Sequence, residues 1–112
     1  MITVENRPEL GRYQLSVDGE VAGYSAYEMR GAAVAFMHTE IHERFAGRGL
    51  GLQLVGKALD DVRARGGSVL PYCPFVRSFI ARHPEYGNLV PVTDRAPDGL
   101  SGGPPPGADG LT

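Results

Sequence analysis

A change of hydrophobic period at the glycine-rich segment 45–51, FAGRGLG, constrains the fold of this chain more than any other feature. Upstream of it, apolar residues alternate along short runs, as they do in half-buried strands. Downstream, apolar residues recur at steps of three or four from Leu50 to Val62, which is typical of an amphipathic helix. The segment therefore joins a strand to the N-terminus of a helix.

Four short runs upstream of the glycine-rich segment have the alternation of strands. The Asp18-Gly19 dipeptide between the second and third runs is a strong hairpin signal, because both positions tolerate positive φ. Arg30-Gly31 marks another turn, before the fourth run. We expect an antiparallel meander with strands at Ile2–Glu5, Arg12–Val17, Glu20–Met29 and Ala32–Ile41.

The downstream half adds a strand and a second helix. Gly66-Gly67 ends the first helix, as glycine commonly does. A short strand is expected at Ser68–Cys73, and a second helix between Pro74 and Pro84. Tyr86–Val92 is predicted to form a last strand or an extended arm. The fold class is α+β with a mixed sheet, an antiparallel β-meander followed by a βαβα unit.

The composition divides the chain into one domain, residues 1–93, and a tail, residues 94–112. The tail holds 5 of the 16 glycines and 4 of the 9 prolines, has no aromatic residue and contains three consecutive prolines. Such a segment buries too little apolar surface to offset its conformational entropy, so disorder is expected there.

The charge distribution favours a small phosphorylated ligand over a nucleic acid. Residues 42–82 carry 7 basic and 3 acidic side chains, although the whole chain has a net charge of −2. Nucleic-acid readers are usually basic over the whole domain. The single cysteine excludes an internal disulfide, and neither a membrane span nor a secretory signal is visible, so we expect a cytoplasmic location and no membrane partner.

Three anion-binding motifs compete for the glycine-rich segment. A Walker A loop fails, because Gly51–Ala58 ends in an alanine where a Mg²⁺-binding hydroxyl is required. A dinucleotide fingerprint fails as well, because its third glycine would fall at Leu52 or Leu54. The third motif is a loop whose successive backbone N–H groups bind a pyrophosphate at a helix N-terminus.

The run Gly47–Gly51, between a strand and a helix, resembles motif A of the GNAT N-acetyltransferases, Q/R-x-x-G-x-G/A. Two registers fit this motif. The run Arg44–Gly49 satisfies every fixed position, whereas Ala46–Gly51 matches the common glycine spacing better but has Ala46 at the Q/R position. Backbone contacts do not need that side chain, so the departure leaves the binding mechanism intact.

Three further segments, His38-Thr39-Glu40, Cys73-Pro74-Phe75 and Ile80–Tyr86, resemble a short single-domain GNAT branch with a Cys-Pro-Phe segment. The resemblance extends over Ile2–Val92. It implies that acetyl-CoA is the cosubstrate and that its thioester lies between splayed fourth and fifth strands. It also implies an amine-bearing acceptor, either a small molecule or a protein, and requires neither a metal nor a nucleic acid. An exposed sheet edge allows a monomer or a weak dimer.

The resemblance implies a set of cofactor-binding residues around the glycine loop and the splayed strands. Three arginines in this set either meet the phosphates or are solvated charges. Phe75, Phe79 and Tyr86 are candidates for lining the pantetheine path, although Phe79, at helical spacing with Val76 and Ile80, is expected in the core. The cofactor-binding set is Ile41, Arg44, Ala46, Gly47, Arg48, Gly49, Leu50, Gly51, Leu52, Cys73, Phe75 and Arg77.

Three residues are candidates for catalysis. Glu40 and His38 share one face of a strand, and either is a candidate general base. Cys73 is either an acetyl-carrying nucleophile, an acid for the departing thiolate or a small buried side chain. A metal site formed by His38, Glu40 and His42 is a weaker interpretation, because a metal does not need the adjacent glycine loop.

These features predict an acetyl-CoA-dependent N-acetyltransferase with an acceptor of unknown identity. The alternative is a CoA- or acyl-CoA-binding module without turnover, because no single residue is an unambiguous base. A weaker interpretation is an interaction domain whose proline-rich tail recruits partners.

Overall fold

The computed structural model describes residues 1–91, which form one five-stranded sheet and two α-helices. Short 3₁₀ helices occupy Pro8–Leu10, Glu43–Phe45 and Pro84–Leu89. The main elements are β1 (Ile2–Arg7), β2 (Arg12–Val17), β3 (Glu20–Arg30), β4 (Ala33–Ile41), α1 (Leu50–Ala64), β5 (Ser68–Pro71) and α2 (Pro74–Arg82).

The sheet has the order β1-β2-β3-β4-β5, with the first four strands antiparallel and β5 parallel to β4. This confirms the predicted α+β class with a meander followed by a βαβα unit. The β2–β3 hairpin turns at Asp18 and Gly19, whose φ angles are +51° and +85°. Positive φ at both central positions produces the turn twist that matches two adjacent strands.

The side chains of α1 fix which face of the sheet is buried. Seven residues of this helix are buried, among them Leu54, Leu59 and Val62, at the predicted steps of three and four. They pack against alternate residues of the strands, such as Tyr13 and Leu15 of β2. The helix therefore covers one face, and the intervening residues of each strand point to the other face.

The segment after α2 differs from the prediction. Residues 86–89 form neither the predicted last strand nor an extended arm, because Pro84–Leu89 is a 3₁₀ helix, and the end of the prediction at Val92 lies outside the described residues. Tyr86 packs beside Phe79 with ring centroids 5.6 Å apart, and Leu89 is buried in the core. The apolar residues of this segment thus face the helix layer rather than a sheet edge.

Two predictions concern residues outside the described range 1–91. They are the disordered tail, residues 94–112, and the domain end at residue 93. Within residues 1–91, neither helix combines the length and apolar character needed to cross a membrane.

Candidate active site

The glycine loop between β4 and α1 takes a conformation that glycine favours. Gly47 and Gly49 have φ angles of +79° and +72°, in the left-handed region, and Gly49 is the N-cap of α1. A Cβ built at either position would meet no atom within 4 Å. The left-handed backbone conformation, rather than steric crowding, therefore explains why glycine occupies these two positions. The space in front of the loop is open to a ligand.

The loop presents a row of backbone donors to this open space. Within residues 1–91, no acceptor bonds the backbone N–H groups from Gly47 to Leu52, and the first helical bond runs from Gln53 N to Gly49 O at 3.4 Å. Unsatisfied N–H groups and the helix dipole together favour an anion at this end of α1. The chain's own atoms thus fit the pyrophosphate of CoA.

The side chains of the first turn point away from the open space or lie at its margin. Leu50 and Gly51 are buried, so only their backbone donors face the loop. Leu52 is exposed, and the N–H of Ala46 is already bonded to Glu43 O at 3.0 Å. The Ala46 position therefore contributes no free donor.

The three predicted phosphate-binding arginines have different surroundings. Arg44 pairs with the carboxylate of Glu20, whereas Arg48 lies over the ring of Phe45 at 5.4 Å and has no acidic partner within residues 1–91. Arg77 donates hydrogen bonds to the carbonyls that follow β5, including Tyr72 O at 3.0 Å. Neither Arg48 nor Arg77 has a carboxylate partner among the described residues, but only Arg77 donates hydrogen bonds to backbone carbonyls. Phosphate contact by all three arginines stays a prediction.

The strands β4 and β5 separate beside the glycine loop. Their parallel pairing ends at Phe36 and Pro71, and the N–H of Cys73 then donates to Phe36 O at 2.8 Å. β4 continues to Ile41, while the other chain turns into α2. A gap opens there between the two chain segments, as the family resemblance implies for the thioester.

A β-bulge lies at the start of this gap. Tyr27 pairs with Phe36 and Ala26 pairs with His38, which leaves Met37 as an extra residue in β4. A bulge increases local twist and re-aims the side chains that follow. The sequence analysis did not predict a bulge at Met37. The only signal for it in the sequence is that the apolar run of β4 ends at this residue.

Cys73 lies on the helix-covered side of the gap. It is 2% exposed, and its Sγ is 3.4 Å from Thr39 Oγ1, which in turn is 2.8 Å from Ser25 Oγ. The buried hydroxyl of Ser25 therefore has the half-buried hydroxyl of Thr39 as its partner, and Thr39 also contacts the thiol. Sequence reasoning missed both, although their pairing follows from the β3–β4 register.

His38 and Glu40 lie together on the helix-free face of the sheet. His38 Nε2 is 3.3 Å from Glu40 Oε1, and Tyr24 donates its hydroxyl to the same oxygen at 3.4 Å. Both side chains are more than half exposed. The two candidate bases are thus in contact with each other. The alternation of side chains along the strand places them on the face opposite to Cys73.

Phe75 closes the helix side of the gap. Its ring lies so close to Gly51 that a Cβ there would be 2.8 Å from Phe75 Cζ. Phe75 keeps 40% of its surface exposed and Ile41 packs partly against the core, whereas Phe79 is buried as expected. Phe75 therefore borders the gap, and its contact with pantetheine stays a prediction.

A cavity of about 250 Å³ lies away from this site, at the C-terminal end of α1. Tyr13, Tyr27, Val62 and Arg65 line it. Because a 15-residue helix is about 22 Å long, this cavity does not adjoin the glycine loop. Within the part of the chain that the structure describes, no group of three or more potential metal ligands occurs.

Comparison with known proteins identifies the family. A family model described as GCN5-related N-acetyl-transferase matches residues 12–89, which include the gap, the glycine loop and both helices. The chain belongs to the GCN5-related N-acetyltransferase family. This confirms the resemblance drawn from the glycine run, and membership of the family supports acetyl transfer in general.

Two solved structures are similar to this chain. A GCN5-like candidate N-acetyltransferase from Staphylococcus aureus, solved by NMR, superposes with a TM-score of 0.60 at 12% identity, over 80% of this chain and 87% of that one. A ribosomal-protein-alanine N-acetyltransferase from Brucella melitensis biovar Abortus 2308 has a TM-score of 0.47 at 18% identity, over 76% and 66%. No curated protein sequence matches the chain. The first superposition supports the GNAT-like fold class.

Proposed function

We propose that this GCN5-related N-acetyltransferase family member transfers acetyl from acetyl-CoA to the nitrogen of an amine. The observation that carries the proposal is the row of N–H groups from Gly47 to Leu52, between β4 and the first turn of α1, for which residues 1–91 supply no acceptor. Family membership supports acetyl transfer, and this row fits a pyrophosphate. The alternative, CoA binding without turnover, is not favoured by family membership.

Acetyl-CoA, when bound, supplies a thioester carbonyl that an amine can attack. The N–H groups of the loop would hold its pyrophosphate, and Arg48 is positioned to add a positive charge near the same end of α1. Phe75 and Ile41 offer apolar surface along the gap between β4 and the start of α2. In this arrangement, the thioester would lie beside the bulge at Met37.

The His38–Glu40 pair is proposed to remove the proton from the attacking amine. Glu40 Oε1 lies 3.3 Å from His38 Nε2, and either side chain can accept that proton. A nitrogen–carbon bond forms, the carbon–sulfur bond breaks, and the proton lost by nitrogen is available for the departing thiolate. The proposal is direct transfer, because Cys73 is buried on the other face.

Isothermal titration with CoA and acetyl-CoA tests the cofactor part of the proposal. We expect saturable binding to the wild-type chain, and no binding at millimolar ligand would contradict it. Release of CoA thiol across a panel of amines then tests turnover, and binding without release would favour the non-catalytic alternative.

Two variants separate the chemical roles. His38→Gln together with Glu40→Gln is expected to abolish thiol release while CoA affinity stays unchanged, because both side chains lie away from the loop. Cys73→Ala is expected to retain transfer. An acetylated Cys73 in the wild type, detected by mass spectrometry during turnover, would instead establish a relay.

A further inference from the structure

The helix-free face of the sheet carries an ordered array of side chains around the candidate bases. The strand registers place Arg12, Ala26 and His38 in one row across β2, β3 and β4. The next row contains Gln14, Tyr24 and Glu40. Two strand spacings, roughly 10 Å, separate the Arg12 and His38 backbones. Ala26 between them is small, so this array leaves room for a small molecule above it.

Arg12 is a cation that no described carboxylate neutralises. Its guanidinium donates two hydrogen bonds to Gln14 Oε1, at 2.6 and 3.2 Å, and lies over the ring of Tyr24 at 4.9 Å. No acidic side chain within residues 1–91 forms an ion pair with it. By contrast, Arg7 and Arg30 on the same face each pair with a glutamate.

The side-chain amide of Gln14 provides a hydrogen-bond donor beside the guanidinium of Arg12. The residue is only 6% exposed, and its oxygen is taken up by Arg12. Its amide nitrogen has no acceptor among the described residues. A buried donor without a partner is destabilising, and the oxygens of an anion would satisfy both this amide and the guanidinium.

Resting on the proposed acetyl transfer, we infer that the acceptor is a small amine that also carries an anionic group, either a carboxylate or a phosphate. Arg12 and Gln14 bind the anion, and the His38–Glu40 pair receives the proton of the amine at the other end of the array. Tyr24 contacts both ends of the array, because its ring packs against the guanidinium of Arg12 and its hydroxyl donates a hydrogen bond to Glu40. Arg12 is thus a specificity-determining residue.

Paired amines of equal chain length test this inference. β-Alanine against propylamine probes a carboxylate, and phosphoethanolamine against ethanolamine probes a phosphate. Binding to the CoA-saturated full chain is followed by NMR at the Tyr24 and His38 ring signals, and turnover by release of CoA thiol. For at least one pair, we expect the anionic amine to bind about tenfold more tightly than its neutral partner. The pair with the larger difference identifies the anion.

Arg12→Gln is expected to remove this preference and leave CoA affinity unchanged. Arg7→Gln on β1 is the matched control, because it removes a charge from the same face but from an existing ion pair. Equal binding of both members in both pairs, or an anion preference that survives in Arg12→Gln, would overturn the inference whether or not acetyl is transferred. Arg12-dependent binding without thiol release from any amine would uphold it as a binding site and count against the proposed acetyl transfer.

Discussion

Gly49→Ala probes the glycine loop, because it separates the backbone requirement from ligand binding. Gly49 has a φ of +72° and no atom within 4 Å of a built Cβ. An alanine there creates no clash, so its effect on stability comes from the left-handed conformation alone. That conformation costs a non-glycine residue about 1–2 kcal/mol.

Gly66→Ala is the matched control at the other end of the same helix. Gly66 also has a φ of +72° and open space around its built Cβ. Both variants are therefore expected to lose the same 1–2 kcal/mol of unfolding free energy, which lowers the midpoint by roughly 4–16 °C in a domain of this size. Their effects on CoA binding are expected to differ.

Only Gly49→Ala places a methyl group among the N–H donors of the loop. Loss of one charge-assisted hydrogen bond, about 1.5–3 kcal/mol, weakens CoA binding by roughly 10- to 100-fold. Thermal unfolding and isothermal titration of the two variants measure both quantities. Equal CoA affinities in both variants and the wild type, with the expected loss of stability, would refute the assignment of the loop to the pyrophosphate.

Three further predictions concern stability. Burial, followed by the hydrogen bond to Asp61, raises the pKa of Tyr13, so native Tyr13 keeps its proton when the unfolded chain loses it. This contribution is complete below about pH 10 and is lost as the pH rises further, and urea titrations should show a shallower alkaline loss for Tyr13→Phe. Gly56→Ala should raise the thermal midpoint through about 1 kcal/mol of helix propensity, because its Cβ would meet Phe79 Cζ at an ordinary 3.5 Å; an unchanged midpoint would contradict this. Leu54→Ala, at a fully buried position, should cost about 2–5 kcal/mol in chemical denaturation, and a loss below 1 kcal/mol would indicate a loosely packed core.

Local signals in the sequence predicted most of the secondary structure. The Asp18-Gly19 turn, the helical spacing of α1 and the prolines that flank α2 act within a few residues, so they needed no knowledge of distant contacts. The predicted last strand or extended arm after α2 was wrong, because contacts with residues distant in the chain decide the conformation of this segment. Tyr86 and Leu89 are apolar enough for a strand, but packing against Phe79 and the core selects a 3₁₀ helix.

The features of the candidate site also divide into those that local sequence predicted and those that depend on distant contacts. The glycine loop and the His38–Glu40 pair were identified from residues close together in the chain, and the structure places His38 and Glu40 in contact. The roles of these residues, the domain end at residue 93 and the cytoplasmic location stay predictions. The bulge at Met37 was missed, because a bulge is defined by the partner strand rather than by its own residue.

The sequence by itself determined the family, the order of elements from β1 to α2 and the place of the glycine loop, because these depend on periodicity and on short glycine motifs. Only the tertiary structure decided which charges are free and which surfaces meet. Arg44 and Arg48 flank the same glycine loop, yet Arg44 pairs with Glu20, 24 residues earlier in the chain, whereas Arg48 has no carboxylate partner among the described residues. Strand register also places Arg12 in the row of His38 and Gln14 in the row of Glu40, far away along the chain.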